Sequence, residues 1–97
     1  MNDVKGGSRM ATEVKFDSDK QVTAPTTMRS AKLFSYSAFA SESTIGVKVT
    51  PCDEKGAQVG GHVQCTVTKE RVLALVAEGK SFEEAVLAAV VEHCGWA

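Results

Sequence analysis

Hydrophobic and polar positions along this chain change period near Thr68. From Thr44 to Thr50 they alternate, with Ile45, Val47 and Val49 on one face, the pattern of a half-buried β-strand. After Pro51-Cys52, the run Asp53-Glu54-Lys55-Gly56-Ala57 fits a three-residue hairpin loop, a type I turn followed by a left-handed glycine. With Asp53 facing Ala57, Val49 is expected opposite Gly61, Val47 opposite Val63 and Ile45 opposite Cys65. His62, Gln64, Thr66 and Thr68 then form a polar outer face. Gly60-Gly61 interrupts the return strand, where paired glycines mark a bulge, a bend or close approach of another backbone. Residues 44–68 are thus a clear β-hairpin.

Beyond Thr68 the period becomes helical. Thr68 is placed to cap a helix over 69–78 with a core stripe of Val72, Leu75 and Val76, stopped by Gly79. A second helix over 82–93 has a written start. Ser81 and Glu84 form a Ser-x-x-Glu capping box, and Glu83 and Glu84 complement the helix dipole. Seven apolar residues then follow without a break, Ala85 to Val91. A half-solvated helix shows only a stripe, so this one is buried on more than one side. Gly95 ends it and Trp96 folds back over its last turn. Two readings of its apolar surface stand side by side. In one, the helix is simply the core; in the other, the surface around Leu87, Val90, Val91, Cys94 and Trp96 is an interface, for example of a homodimer.

Upstream, Val14 and Phe16 alternate with Glu13, Lys15 and Asp17, a short strand. Asp17-Ser18-Asp19-Lys20 is turn-like, Gln21 to Ala24 continues extended, and Pro25-Thr26-Thr27 breaks the pattern. Residues 31–40 read as strand or helix, and the aromatics with interleaved serines favour a strand. That strand puts Phe34, Tyr36 and Ala38 on one face and Leu33 and Phe39 on the other. Residues 1–10 have no periodicity and contain Gly-Gly-Ser, which reads as a flexible leader or an appended extension, leaving 11–97 as one small domain. The fold class expected is α+β: an antiparallel sheet of three to four strands, then two C-terminal helices packed on one face.

Composition sharpens this only a little. The 97 residues are 43% hydrophobic and 24% charged, ordinary globular values. The formal net charge of −1 hides an asymmetry: residues 1–40 carry an excess of two cations, and residues 41–97 an excess of three anions. An acidic C-terminal half argues against a strong phosphate-binding surface there. Three cysteines, an odd number with no apolar leader, fit a reducing, cytoplasmic setting better than a disulfide framework. The longest apolar run is far below the ~20 residues that span a bilayer, so no membrane partner is expected.

Candidate chemistry is sparse. His62-x-x-Cys65 and His93-Cys94 are all zinc-ligand types, but residues three apart on a strand face opposite ways. No nucleophile turn, orienting acid or phosphate-cradling loop accompanies any Cys–His pair. The expectation is therefore no enzyme, no cofactor and no metal. Arg29, Lys32, Phe34 and Tyr36 interleave cations with aromatics, as in single-stranded nucleic-acid binders. Asp53, Glu54, Glu83 and Glu84 offer an acidic contact surface. The leading reading is a small module that binds another protein, in the manner of accessory or inhibitory proteins of viruses and mobile elements. A nucleic-acid binder and a self-associating structural subunit are the alternatives. The hairpin, the helix start and the helix pair are generic pieces that identify no family.

Overall fold

The computed structural model describes residues 12–23 and 26–96. Four strands run antiparallel in chain order: β1 (Glu13–Thr23), β2 (Thr26–Ala38), β3 (Thr44–Cys52) and β4 (Val63–Thr68). Two helices follow, α1 (Lys69–Ala77) and α2 (Phe82–His93), and pack against the sheet. This is the expected α+β order, and the segment 31–40 is strand as far as Ala38. The leader expected at 1–10 lies outside the described residues.

The helices start where their caps are written. Thr68 Oγ1 accepts the Arg71 N–H, and Ser81 and Glu84 close the reciprocal capping box on α2. Ala85, Val86, Leu87, Ala89, Val90 and Val91 are all buried. At ~100° per residue they cover about two thirds of the helix circumference. No single flat surface covers so wide an arc, and the chain uses three. The sheet supplies Ala31, Ile45, Val47 and Val49, α1 supplies Val72 and Leu75, and Trp96 closes the far end. The Trp96 indole reaches β1: its ring meets Phe16 edge-on at 6.3 Å and its N–H donates to the Gln21 carbonyl at 3.3 Å. Since α2 also packs on β4, it meets both edge strands of the sheet.

The β3–β4 turn is the expected one. Asp53 N–H donates to the Ala57 carbonyl at 2.8 Å, and Gly56 takes φ +88°, a conformation that costs an L side chain but not glycine. The register beyond it differs from expectation by two residues. Val49 pairs with Val63 rather than Gly61, Val47 with Cys65, and Ile45 with Val67. Near the turn the expected pairing holds, with a Cys52–Gln58 bridge and Val59 N–H on the Pro51 carbonyl. The two extra residues enter at Gly60-Gly61, where Gly60 adopts φ +72°. Because the slip is even, every side chain keeps its face. Val63, Cys65 and Val67 still point inward.

Two further irregularities re-aim side chains. β1 advances five residues, Lys15 to Lys20, while β2 advances two, Ser30 to Met28. The turn-like Asp17–Lys20 segment is therefore a bulge within a continuous strand, and it turns Phe16 toward Trp96. In β2, Leu33 pairs with Val49 but Ser35 with Lys48, so Phe34 is an extra residue. That single insertion flips the faces expected for this strand. Leu33 and Tyr36, each opposite an inward valine, share the inner face, and Phe34 turns outward.

Candidate functional site

The residues expected to form an interface on α2 are core. Leu87, Val90, Val91 and Trp96 are each at most 9% exposed in the single chain, and Cys94 is half-buried. The apolar run is long because the sheet, α1 and Trp96 cover it from three sides.

Uncovered apolar surface lies elsewhere. Phe39, Leu73 and Phe34 are the most exposed large hydrophobics among the described residues, at 61%, 58% and 58%, and Tyr36 and Phe82 are more than a third exposed. Contacts group Tyr36, Phe39, Leu73 and Phe82 in two pairs. Tyr36, near the end of β2, sets its ring 5.6 Å from that of Phe82, the first residue of α2. Lys69, the first residue of α1, donates its backbone N–H to Ser43 and its ammonium to the Phe39 carbonyl. Leu73 stands one helical turn beyond Lys69 on the same side of α1. Tyr36 with Phe82, and Phe39 with Leu73 by way of Lys69, are thus two exposed apolar pairs. Phe82 and Leu73 carried a sequence signal that is clear in retrospect: Leu73 falls off the stripe made by Val72, Leu75 and Val76.

The outer sheet face holds a second, polar surface. Phe34 stacks on His62 with centroids 4.1 Å apart and planes 24° from parallel, and His62 Nδ1 lies 3.1 Å from Thr50 Oγ1. Beside them the hairpin tip folds over β2, where Lys32 donates to the Gly56 carbonyl at 3.4 Å. The fold encloses a crevice of about 300 Å³ in which Lys15, Arg29, Lys32 and Lys55 meet Glu13 and Glu54. The four residues expected to act together as a basic-aromatic strand are divided by the bulge. Arg29 is committed to the β1 bulge, donating to the Phe16 and Asp17 carbonyls and lying 3.7 Å from the Asp19 carboxylate. Tyr36 is on the inner face, and only Lys32 and Phe34 share the outer one.

The acidic residues are also divided. Asp53 accepts the Lys55 and Ala57 N–H groups within the turn, and the Ala57 bond foremost holds its carboxyl below the ordinary carboxylate range. Glu54 lines the crevice. Glu84 is occupied by the α2 cap, and Glu83 accepts from Thr12. Three of the four thus accept hydrogen bonds, Asp53 in the β3–β4 turn and Glu83 and Glu84 at the start of α2.

Of the ligand types, His62 points outward and Cys65 inward, and among the described residues no three His, Cys, Asp or Glu side chains converge on one point. Burial pushes the Cys65 thiol up to about 11, with the neighbouring Cys94 adding to the shift, and burial also raises Cys94. No helix among the described residues is long and apolar enough to cross a membrane. No protein-family model, curated protein or solved structure matches this chain.

Proposed function

We propose that this chain is a small non-enzymatic module that binds another protein through the exposed apolar side chains Tyr36, Phe39, Leu73 and Phe82. The observation that carries this reading is the exposure of Phe39 and Leu73 in a chain that has otherwise buried its large aliphatic side chains well. Exposed aromatic and aliphatic anchors backed by a rigid fold are the usual source of binding energy at protein interfaces. An accessory or inhibitory role, exercised by covering a partner's functional surface, suits so small a scaffold. The test is capture from lysate of the producing or host cell, comparing the wild-type chain with a Phe39→Ser, Leu73→Lys variant. A protein retained by the wild type through high salt and nuclease, and lost by a variant of unchanged circular dichroism, supports the reading. Equal retention by both refutes the proposed surface.

The Phe34–His62 stack favours a second reading, a single-stranded nucleic-acid contact on the outer face with Lys32 and Lys48 near the phosphates. Stacking on one aromatic contributes about 1–3 kcal/mol per base. Binding of a labelled oligonucleotide that weakens steeply with salt and with Phe34→Ala would move the assignment there. Sedimentation over a range of concentrations tests the third reading, self-association through the same apolar side chains.

A further inference from the structure

The crevice beside the outer sheet face is built from three separate stretches of chain. Lys15 comes from β1, Arg29, Ser30 and Lys32 from β2, and Glu54 and Lys55 from the β3–β4 hairpin tip. The register sets Lys15 opposite Ser30 and Glu13 opposite Lys32. The tip closes over them, held by the Lys32 ammonium on the Gly56 carbonyl at 3.4 Å. Three of the four cations belong to the basic N-terminal half of the chain, and folding brings Lys55 to them from the acidic half. Set against Glu13 and Glu54, they leave an excess of two positive charges in about 300 Å³. Arg29 is engaged elsewhere, on the Phe16 and Asp17 carbonyls and the Asp19 carboxylate. The lysines are not. Among the described residues the ion pairs are Arg29–Asp19 and Arg71–Glu92, so neither Glu13 nor Glu54 pairs with Lys15, Lys32 or Lys55. Ser30 lines the same crevice at 4% exposure, the only polar residue buried among the described residues. Its hydroxyl has no hydrogen-bond partner among them, a condition that buried polar groups rarely keep.

We propose that this crevice is a binding site for a phosphate-class oxyanion. The Lys15, Lys32 and Lys55 ammonium groups surround the anion as point charges, and Ser30 donates its hydroxyl hydrogen from the floor. The volume is at the low end of ligand sites, enough for one phosphate group and a small substituent. Two sources share this chemistry, inorganic phosphate and the phosphate ester of a nucleotide. The ester has a place for its base nearby. Lys32 pairs with Thr50 across β2 and β3, Thr50 Oγ1 lies 3.1 Å from His62 Nδ1, and His62 stacks on the exposed Phe34. The site is independent of the protein-binding reading, because none of Tyr36, Phe39, Leu73 and Phe82 lines it.

The test titrates the isotope-labelled full-length protein at pH 7.5 and low ionic strength with inorganic phosphate, and separately with adenosine monophosphate. Amide shifts are followed against a matched sodium chloride titration. The expected result is one saturable site, with shifts converging on Lys15, Ser30, Lys32 and Lys55. Lys15→Gln and Lys55→Gln each weaken binding about fivefold, the worth of one partly exposed charge pair. Ser30→Ala also weakens it. Glu54→Gln tightens it, because a carboxylate that repels the ligand is gone. Lys80→Gln, in the link between the helices, leaves it unchanged. Tighter binding of adenosine monophosphate, with shifts reaching Phe34 and His62, identifies the ester as the ligand. Equal binding confined to the crevice identifies free phosphate. Shifts that stay linear with concentration, a loss on Lys80→Gln as large as on Lys15→Gln, or no gain on Glu54→Gln would overturn the proposal.

Discussion

Val90 separates a core helix from an interface helix. Its side chain is fully buried on α2, facing both the sheet and α1. Val90→Ala removes two carbons, worth ~0.8 kcal/mol each in transfer free energy. The partly relaxed cavity adds up to about 1 kcal/mol at ~24 cal/mol per Å³, for a total near 2–3 kcal/mol. In a domain of this length, 1 kcal/mol moves the midpoint by about 4–8 °C, so a fall of roughly 10–20 °C is expected. Val90→Thr keeps the shape but buries a hydroxyl in an apolar core, and costs about 1–3 kcal/mol. Val90→Glu places a carboxylate in the same site, a cost comparable to the whole ~5–15 kcal/mol stability of a small domain, and should not fold. Thermal and urea unfolding followed by circular dichroism, at protein concentrations spanning two decades, read all three. A core helix gives midpoints independent of concentration. A folded monomeric Val90→Glu variant, or a wild-type midpoint that climbs with concentration, would sink the reasoning and return α2 to the list of interfaces.

Other substitutions test single devices. Gly60→Ala should lower stability by about 1–2 kcal/mol, because φ +72° strains any Cβ although no atom stands nearer than 3.7 Å to where it would be. Gly46→Ala should do the opposite, raising stability by about 0.5–1 kcal/mol, since Gly46 has negative or extended φ and open space in mid-strand; urea midpoints measure both. Ser81→Ala removes the side-chain acceptor of the capping box and should cost about 1 kcal/mol, seen as earlier amide exchange in the first turn of α2. Asp53 has a depressed carboxyl, so its contribution is complete above the ordinary carboxylate pKa and is lost as pH falls through the lower folded value. Asp53→Asn should therefore narrow its stability gap to wild type on acidification, and a gap unchanged from pH 6 to pH 2.5 counts against the turn assignment.

The parts of the fold that could be read in the sequence are those decided locally. The capping box, the hairpin turn and the inward set Ile45, Val47 and Val49 each follow from a few neighbouring residues. The β3–β4 register does not. An alternating pattern looks identical after a slip of two, so Val63, Cys65 and Val67 satisfy either pairing, and only the backbone at Gly60-Gly61 decides between them. The bulge at Phe34 is the opposite case. An odd insertion reverses a face, and Phe34, Tyr36 and Ala38 carry no glycine or proline to announce it. The α2 surface is a third case: how much of a helix is covered depends on which distant elements pack on it, here the sheet, α1 and Trp96, and no local pattern encodes that. Of the exposed apolar side chains, Tyr36 and Phe39 drew notice as aromatics, but Leu73 and Phe82 join them only through contacts between elements distant in the chain.

Burial is uneven along β2: Met28 and Ala31 are core, whereas Phe34 to Ala38 are exposed. There Tyr36 leans on Phe82, so these two both tie β2 to α2 and show surface. Phe39 and Leu73 have no such tie: neither belongs to the core cluster, and each is more than half exposed. Substituting them removes little that stabilises the fold, since surface changes away from packing and caps usually stay within about 0.5 kcal/mol. Substituting Tyr36 or Phe82 disturbs both stability and surface. The four side chains are therefore divided into a fixed pair and a free pair whose identity can change without cost to folding. That division suits the proposed binding role, because specificity can then change while the scaffold stays the same.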